Sequence, residues 1–211
     1  WDDPKKDPLG EVTEVIGRPG AHETEMRAIV LDRGFRTSFP TTVEAEARAI
    51  KDKDRELDNR LTEIKRRLDC RGWPTFTIDP VDAKDFDDAL SIRKISQDQW
   101  EVGVHIADVS HYVRPGTALD DEAKKRATSI YLVDRTIPML PEILSNDLCS
   151  LNPNEDKLTF SAIFTIDKQS KIMDIRFAKT VIRSTKRFTY EEGQTVLNNR
   201  AGPFAKELEI L

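Results

Sequence analysis

The sequence predicts an α+β chain built from an incomplete β-barrel piece over residues 1–40, a helical linker over 41–72, and the first part of a larger mixed-sheet domain over 73–211. Three observations predict it. Gly and Pro punctuate short apolar runs before residue 40, apolar residues then recur at helical spacing as far as Leu68, and extended segments take over from Trp73.

In the first stretch, residues 10–16 and 26–31 read as strands, separated by Gly17, Pro19 and Gly20 and followed by Gly34. This is too little chain for a whole barrel. Thr41 or Thr42 then caps a helix with Glu44 and Glu46 near its start, and after an interruption at 52–54 the residues Leu57, Leu61, Ile64 and Leu68 recur at spacings of four, three and four. One or two amphipathic helices are expected, with Lys51, Lys53, Arg55, Arg60, Lys65, Arg66 and Arg67 on solvated faces.

Beyond Trp73, residues 75–78, 89–92 and 100–106 read as strands that pair in one sheet, the last alternating with period two. Residues 158–166 and 172–182 flank a polar loop at 167–171, a hairpin with a longer connection. Between these β regions, 119–132 reads as a helix, and Pro138, Pro141 and Pro153 mark an irregular segment.

A chain of 211 residues with 38% hydrophobic content can bury a real core. No run approaches the roughly 18 to 20 apolar residues that span a bilayer, and Trp1-Asp2-Asp3-Pro4 lacks the basic and apolar regions of a leader. Cys70 and Cys149 lie far apart with no zinc or disulfide spacing, so a reducing, cytoplasmic setting is expected. Both ends read as cut: the chain opens on Trp, and Phe204, Leu208 and Leu211 are still repeating at helical spacing when it stops. The net charge of -5, from 38 acidic and 33 basic residues, is the wrong sign for a surface that attracts phosphates everywhere. Attraction to a nucleic acid would have to be local or come from elsewhere in a longer chain.

The chemistry concentrates in Asp79-Pro80-Val81-Asp82-Ala83-Lys84-Asp85-Phe86-Asp87-Asp88, where five carboxylates fall within ten residues between apolar strand sequences. Two ionised carboxylates about 4 Å apart repel by about 4 kcal/mol at an effective dielectric near 20, so convergence of several needs protons or cations. Hard oxygen donors suit magnesium, with manganese as a substitute, and the matching chemistry is metal-assisted hydrolysis of a phosphodiester. An EF-hand calcium loop fails on spacing, since counting from Asp79 the sixth position is Lys84 and the twelfth Leu90. No GxxxxGK phosphate loop is nearby. From spacing alone, an acidic surface turn stays open as the alternative.

Thr77-Ile78-Asp79 followed by Asp85-Phe86-Asp87-Asp88-Ala89 resembles the signature of the ribonuclease II/ribonuclease R family, whose catalytic unit is the RNB domain. The likeness continues in family order through Val104-His105-Ile106-Ala107-Asp108-Val109-Ser110-His111-Tyr112-Val113, Arg126-Ala127-Thr128-Ser129-Ile130-Tyr131-Leu132, Ile137-Pro138-Met139-Leu140-Pro141, Leu144-Ser145-Asn146, Leu148-Cys149-Ser150-Leu151 and Arg187-Phe188-Thr189-Tyr190-Glu191-Glu192. Within the family the chain is most similar to the bacterial ribonuclease R branch. The resemblance implies processive hydrolysis of single-stranded RNA from its 3′ end to nucleoside 5′-monophosphates at a magnesium-dependent site. It assigns Asp79, Asp85 and Asp88 to the metal, Asp87 to the cleavage step and Tyr131 to stacking on RNA bases, and leaves Asp82 as acidic loop. It also implies that 1–40 belongs to a cold-shock/OB-like module and that 73–211 is a truncated RNB domain. The family's active-site arginine and S1 RNA-binding domain would lie beyond Leu211, so the isolated fragment is expected to be inactive. No membrane and no obligate protein partner is implied.

His105 and His111 are read as strand or strand-end residues rather than general bases, because a metal-activated water needs no histidine. Ser110 beside His111 is no nucleophilic pair, since neighbours on a strand face opposite ways. Two other classes remain to be weighed: a non-catalytic RNA-binding or scaffold module that keeps the RNB fold, and a calcium-binding structural domain. Four aspartates clustered in a scaffold would repel RNA phosphates to no purpose.

Overall fold

The computed structural model describes residues 10–211, and the expectations made for residues 1–9 lie outside them. The chain divides into two units. Among the described residues, one comprises 10–39 with 130–137, and the other 40–129 with 138–211.

In the first unit, helix α1 (His22–Asp32) occupies the segment whose residues 26–31 were expected to form a strand, and residues 10–16 form neither helix nor strand. Glu23, Glu25, Met26, Arg27, Ala28 and Leu31 all favour helix, and Glu23 and Glu25 sit favourably at the positive end of the helix dipole. They outweigh the β-branched pair Ile29-Val30. The turn after α1 places Gly34 at φ +79°, a conformation that suits glycine. This unit also holds the short antiparallel pair β5 (Ile130–Tyr131) and β6 (Thr136–Ile137).

The second unit begins with α2 (Thr41–Arg55) and α3 (Leu57–Lys65). Two helices form, as the periodicity implied, but the break falls at Glu56 rather than 52–54, and neither threonine caps α2. The residue before α2 is Pro40, whose missing N–H removes nothing that a helix start needs. The basic residues here are partly engaged: Lys51 pairs with Asp147, Arg60 with Asp54, and Arg67 with Glu63 and Asp108.

The core of this unit is a seven-stranded mixed sheet. Its strands are β1 (Leu68–Asp69), β2 (Thr75–Asp79), β3 (Asp88–Ser96), β4 (Gln99–Ala107), β7 (Asp156–Asp167), β8 (Ile172–Arg183) and β9 (Lys186–Thr189). They lie in the order β1-β8-β7-β4-β3-β2-β9, with parallel pairs only at the two edges, β1 with β8 and β2 with β9. The hairpin β7–β8 turns where the polar loop predicted it, and Asp167 Oδ1 accepts from the N–H groups of Gln169 and Lys171 to close the turn.

Helices α6 (Tyr190–Asn199) and α7 (Ala205–Ile210) cover one face at the β2–β9 edge. There Phe76, Phe188, Val196 and Leu208 form a buried cluster, with Ile78, Leu90, Phe204 and Ala205 packed against it. A capping box holds the start of α6: Thr189 Oγ1 accepts from Glu192 N–H, and the Glu192 carboxylate accepts from Thr189 N–H.

The interior also contains a polar chain. His105 is fully buried, with Nε2 2.8 Å from Ser91 Oγ and Nδ1 2.6 Å from Ser161 Oγ, and Ser161 continues to Thr180 and Thr159. Burial pushes the His105 pKa down to about 4, so the ring is neutral and both nitrogens are matched by hydroxyls. His105 thus has a structural place in mid-sheet.

Two further expectations change. The helix expected over 119–132 is α5 (Ala118–Arg126), ended by Ala127 in the left-handed conformation at φ 60°, so Tyr131 lies in strand β5. Ser110 and His111 lie in a helical turn, α4 (Val109–Tyr112), rather than on a strand. Ser110 is spent on Asp108, to which its hydroxyl donates at 2.6 Å. The proline-marked segment contains a π-helical turn at Ile143–Leu148. Cys70 and Cys149 are free and buried, and among the described residues no helix is long and apolar enough to cross a membrane.

Candidate metal centre

The acidic motif becomes the end of one central strand, a loop, and the start of its antiparallel neighbour. Asp79 is the last residue of β2 and 8% exposed, Asp88 is the first of β3, and Asp85 and Asp87 lie in the connection between them. Phe86, 7% exposed, points inward between Asp85 and Asp87 and pins the loop to the core. The alternation of an apolar residue between acidic ones explains how a charged run folds against a sheet.

The loop backbone is tied down from three sides. Phe86 N–H donates to Ser150 Oγ at 3.0 Å, the Ser150 hydroxyl donates to Lys84 O at 2.9 Å, and Leu151 N–H donates to Phe86 O at 2.9 Å. Ala107 N–H, at the end of β4, donates to Asp87 O at 2.9 Å. From β9, Arg187 Nη2 donates to Pro80 O and to Val81 O, the latter at 2.9 Å, with its guanidinium 5.3 Å from the Phe86 ring centre.

The charges of this group act on Asp87 and Asp79. The Asp87 pKa is raised, first by the protein that displaces water around its carboxyl and then by the charges of Asp85, Asp88 and Asp79. Asp79 is raised as well: burial is the largest cause, Asp88 and Asp85 add to it, and the Thr77 hydroxyl and the Arg187 charge oppose it. The opposition from Thr77 is incomplete, because Asp79 Oδ2 and Thr77 Oγ1 are both buried without a hydrogen-bond partner. A buried carboxylate oxygen left unsatisfied among like charges calls for a cation.

The donor set fits a hard divalent ion: oxygen ligands only, mutual repulsion to be relieved, and one buried oxygen with no protein partner. The carboxylates are not already gathered as a closed cage, since among the described residues no three His, Cys, Asp or Glu stand at metal-holding geometry. Asp82 is exposed and is not among the main charges acting on Asp79 or Asp87. Tyr131 belongs to the first unit, where it is 72% exposed on the β5–β6 pair.

Sequence reading did not single out Ser150 or Arg187 as parts of this site. Both stand in segments that carried the family likeness, but nothing in periodicity or charge marks them, because their contacts lie 64 to 107 residues away along the chain.

Comparison with known proteins agrees with this architecture. The chain is 42% identical over 181 residues to ribonuclease R 2 of Lactococcus lactis, covering 86% of this chain and 26% of that protein. Its structure superposes on Mycoplasma genitalium RNase R, solved in complex with ribose-methylated single-stranded RNA, with a TM-score of 0.80 and 32% identity over 93% of this chain and 30% of the other. It also superposes on yeast Ssd1, described as a pseudonuclease, with a TM-score of 0.70 and 19% identity over 92% of this chain and 24% of that one, a likeness of fold alone. The chain therefore spans about a quarter of the curated relatives it matches. A cold shock domain model matches residues 1–40. The RNB domain model matches residues 67–209, which include all four aspartates and every strand of the seven-stranded sheet, and the chain belongs to the RNB domain family.

Proposed function

We propose that the chain is part of a magnesium-dependent, cytoplasmic exoribonuclease that degrades single-stranded RNA from the 3′ end to nucleoside 5′-monophosphates, with manganese able to replace magnesium. The observation that carries this reading is the buried, unpartnered Asp79 Oδ2 at a site where the charges of Asp85 and Asp88 act on both Asp79 and Asp87. Asp79, Asp85 and Asp88 would hold the ion, and Asp87 would serve the cleavage step. A bound magnesium ion supplies neutralisation of phosphate charge and a Lewis acid for phosphodiester hydrolysis.

The protein's own part is positional. β2 and β3 fix the outer aspartates, Phe86 and Ser150 hold the loop between them, and the charges of Asp85, Asp88 and Asp79 all act on the Asp87 carboxyl. Tyr131, whose own side chain is exposed, would stack on bases irrespective of sequence, worth about 1 to 3 kcal/mol per base. The four aspartates weigh against a purely scaffolding role, since without a cation they would repel an RNA backbone.

The test is made in the longer protein. Asp87→Asn is expected to abolish mononucleotide release from a 3′-tailed single-stranded RNA while leaving RNA affinity unchanged or tighter. Loss of binding together with activity would remove Asp87 from the cleavage step. The 211-residue chain alone is expected to degrade the same RNA negligibly, and robust degradation would refute its incompleteness as a nuclease.

A further inference from the structure

Arg187 is a cation placed beside an acidic cluster, yet its hydrogen bonds go to carbonyls. Its Nη2 donates to Pro80 O and Val81 O, the first two residues of the loop after Asp79, and no ion pair joins it to any carboxylate among the described residues. An ordinary salt bridge would occupy the oxygens that a metal needs. This arginine contributes positive charge near Asp79 and leaves those oxygens available.

Its placement is fixed by the fold. β9 is an edge strand held by β2 alone, in parallel register with Thr77 opposite Arg187 and Asp79 opposite Thr189. Thr77, Asp79 and Arg187 therefore share one face of the sheet. The capping box at Thr189 and Glu192 anchors the strand end immediately beyond. The guanidinium also lies over Phe86, so one planar group meets the loop at its entry and at its far end, between Asp85 and Asp87. One nitrogen, Nη2, meets both carbonyls while the guanidinium lies over the Phe86 ring; a lysine can supply the charge, but its ammonium has no planar face to lay against that ring.

We propose that Arg187 is a positioning residue that clamps the 80–86 loop so that Asp79 and the Asp85, Asp87 and Asp88 group can reach one divalent cation. This rests on the metal-site reading of the aspartates. Residues that orient metal ligands without touching the ion commonly change affinity by about 10- to 100-fold when lost.

The experiment titrates Mn2+ into the chain, following free ion by electron paramagnetic resonance, for the unaltered protein, Arg187→Lys, Arg187→Ala and Asp79→Asn, with a thermal melt of each without metal. The expected result is Mn2+ binding weakened by about 10- to 100-fold in both Arg187 variants, with a cooperative melt retained in Arg187→Lys. Affinity in Arg187→Lys equal to that of the unaltered chain overturns the clamp, since charge alone would then suffice. If Arg187→Ala fails to fold, Arg187→Lys decides the question by itself. Failure of the metal reading looks different: the unaltered chain and Asp79→Asn would then bind Mn2+ equally weakly, and both ideas would fall.

Discussion

Arg67 and Asp108 form an ion pair of 2.7 Å whose side chains are 0% and 2% exposed. Arg67 also donates to Thr159 O at 3.1 Å and to Glu63 at 2.8 Å, so it joins the end of the linker helices to β7 and to the end of β4. Removing the cation leaves a buried carboxylate, and the cost of such a break is about 3 to 5 kcal/mol. Lys179 lies 3.4 Å from Asp108 but is half exposed and compensates in part, which favours the lower end. Arg67→Met is expected to lower the urea midpoint accordingly, and Arg67→Met with Asp108→Leu to recover much of the loss. A change below about 1 kcal/mol in the single variant would mean that the pair is solvated.

Acid should weaken the fold through His105. Its folded pKa is about 4 against an ordinary 6.5, because burial disfavours the charged ring. The unfolded chain then binds more protons between these values, so stability falls as pH drops from about 6.5 to about 4, and this contribution levels off below. A shift of this size corresponds to about 3 kcal/mol. Denaturant unfolding as a function of pH measures it, and His105→Gln should flatten that part of the profile. An unchanged slope in the variant would assign the acid sensitivity to other groups.

At neutral pH and without metal, Asp87→Asn is expected to stabilise the chain. The raised folded pKa means that protonated Asp87 favours the fold, and that this contribution is lost as pH rises through the folded pKa. Removing the charge should raise the melting temperature by about 2 °C, under 1 kcal/mol after allowance for its exposure. Added millimolar magnesium should stabilise the original chain more than the variant. A lower melting temperature in metal-free Asp87→Asn would contradict the repulsion.

Gly103 leaves room for the buried polar chain. A Cβ at this position would stand 2.6 Å from both His105 Nε2 and Ser91 Oγ, which are themselves hydrogen-bonded. Gly103→Ala is expected to cost about 1 to 3 kcal/mol in equilibrium unfolding, as overpacking does. A neutral result would show that Ser91 and His105 can separate without loss.

Local pattern made much of the architecture readable. The extended run 75–78, the alternation in residues 100–106, the polar loop of the β7–β8 hairpin, and the helical spacing after Thr41 all depend on neighbours in sequence, and each element formed. The acidic motif was legible for the same reason, since its carboxylates lie within ten residues. Where local signals compete, the reading failed: residues 26–31 satisfied a strand rule and a helix rule together, and Ala127 ended α5 without a glycine to announce it.

What the sequence by itself determined is the presence of a mixed α+β chain carrying four aspartates between two strands. Only the tertiary structure decided that β9 pairs with β2, that Ser150 and Arg187 hold the aspartate loop, and that His105 spans two serines inside the sheet. The physical reason is range. Helix and strand propensity act over a few residues, whereas these contacts join groups 14 to 110 positions apart, and only the packed sheet brings them within reach.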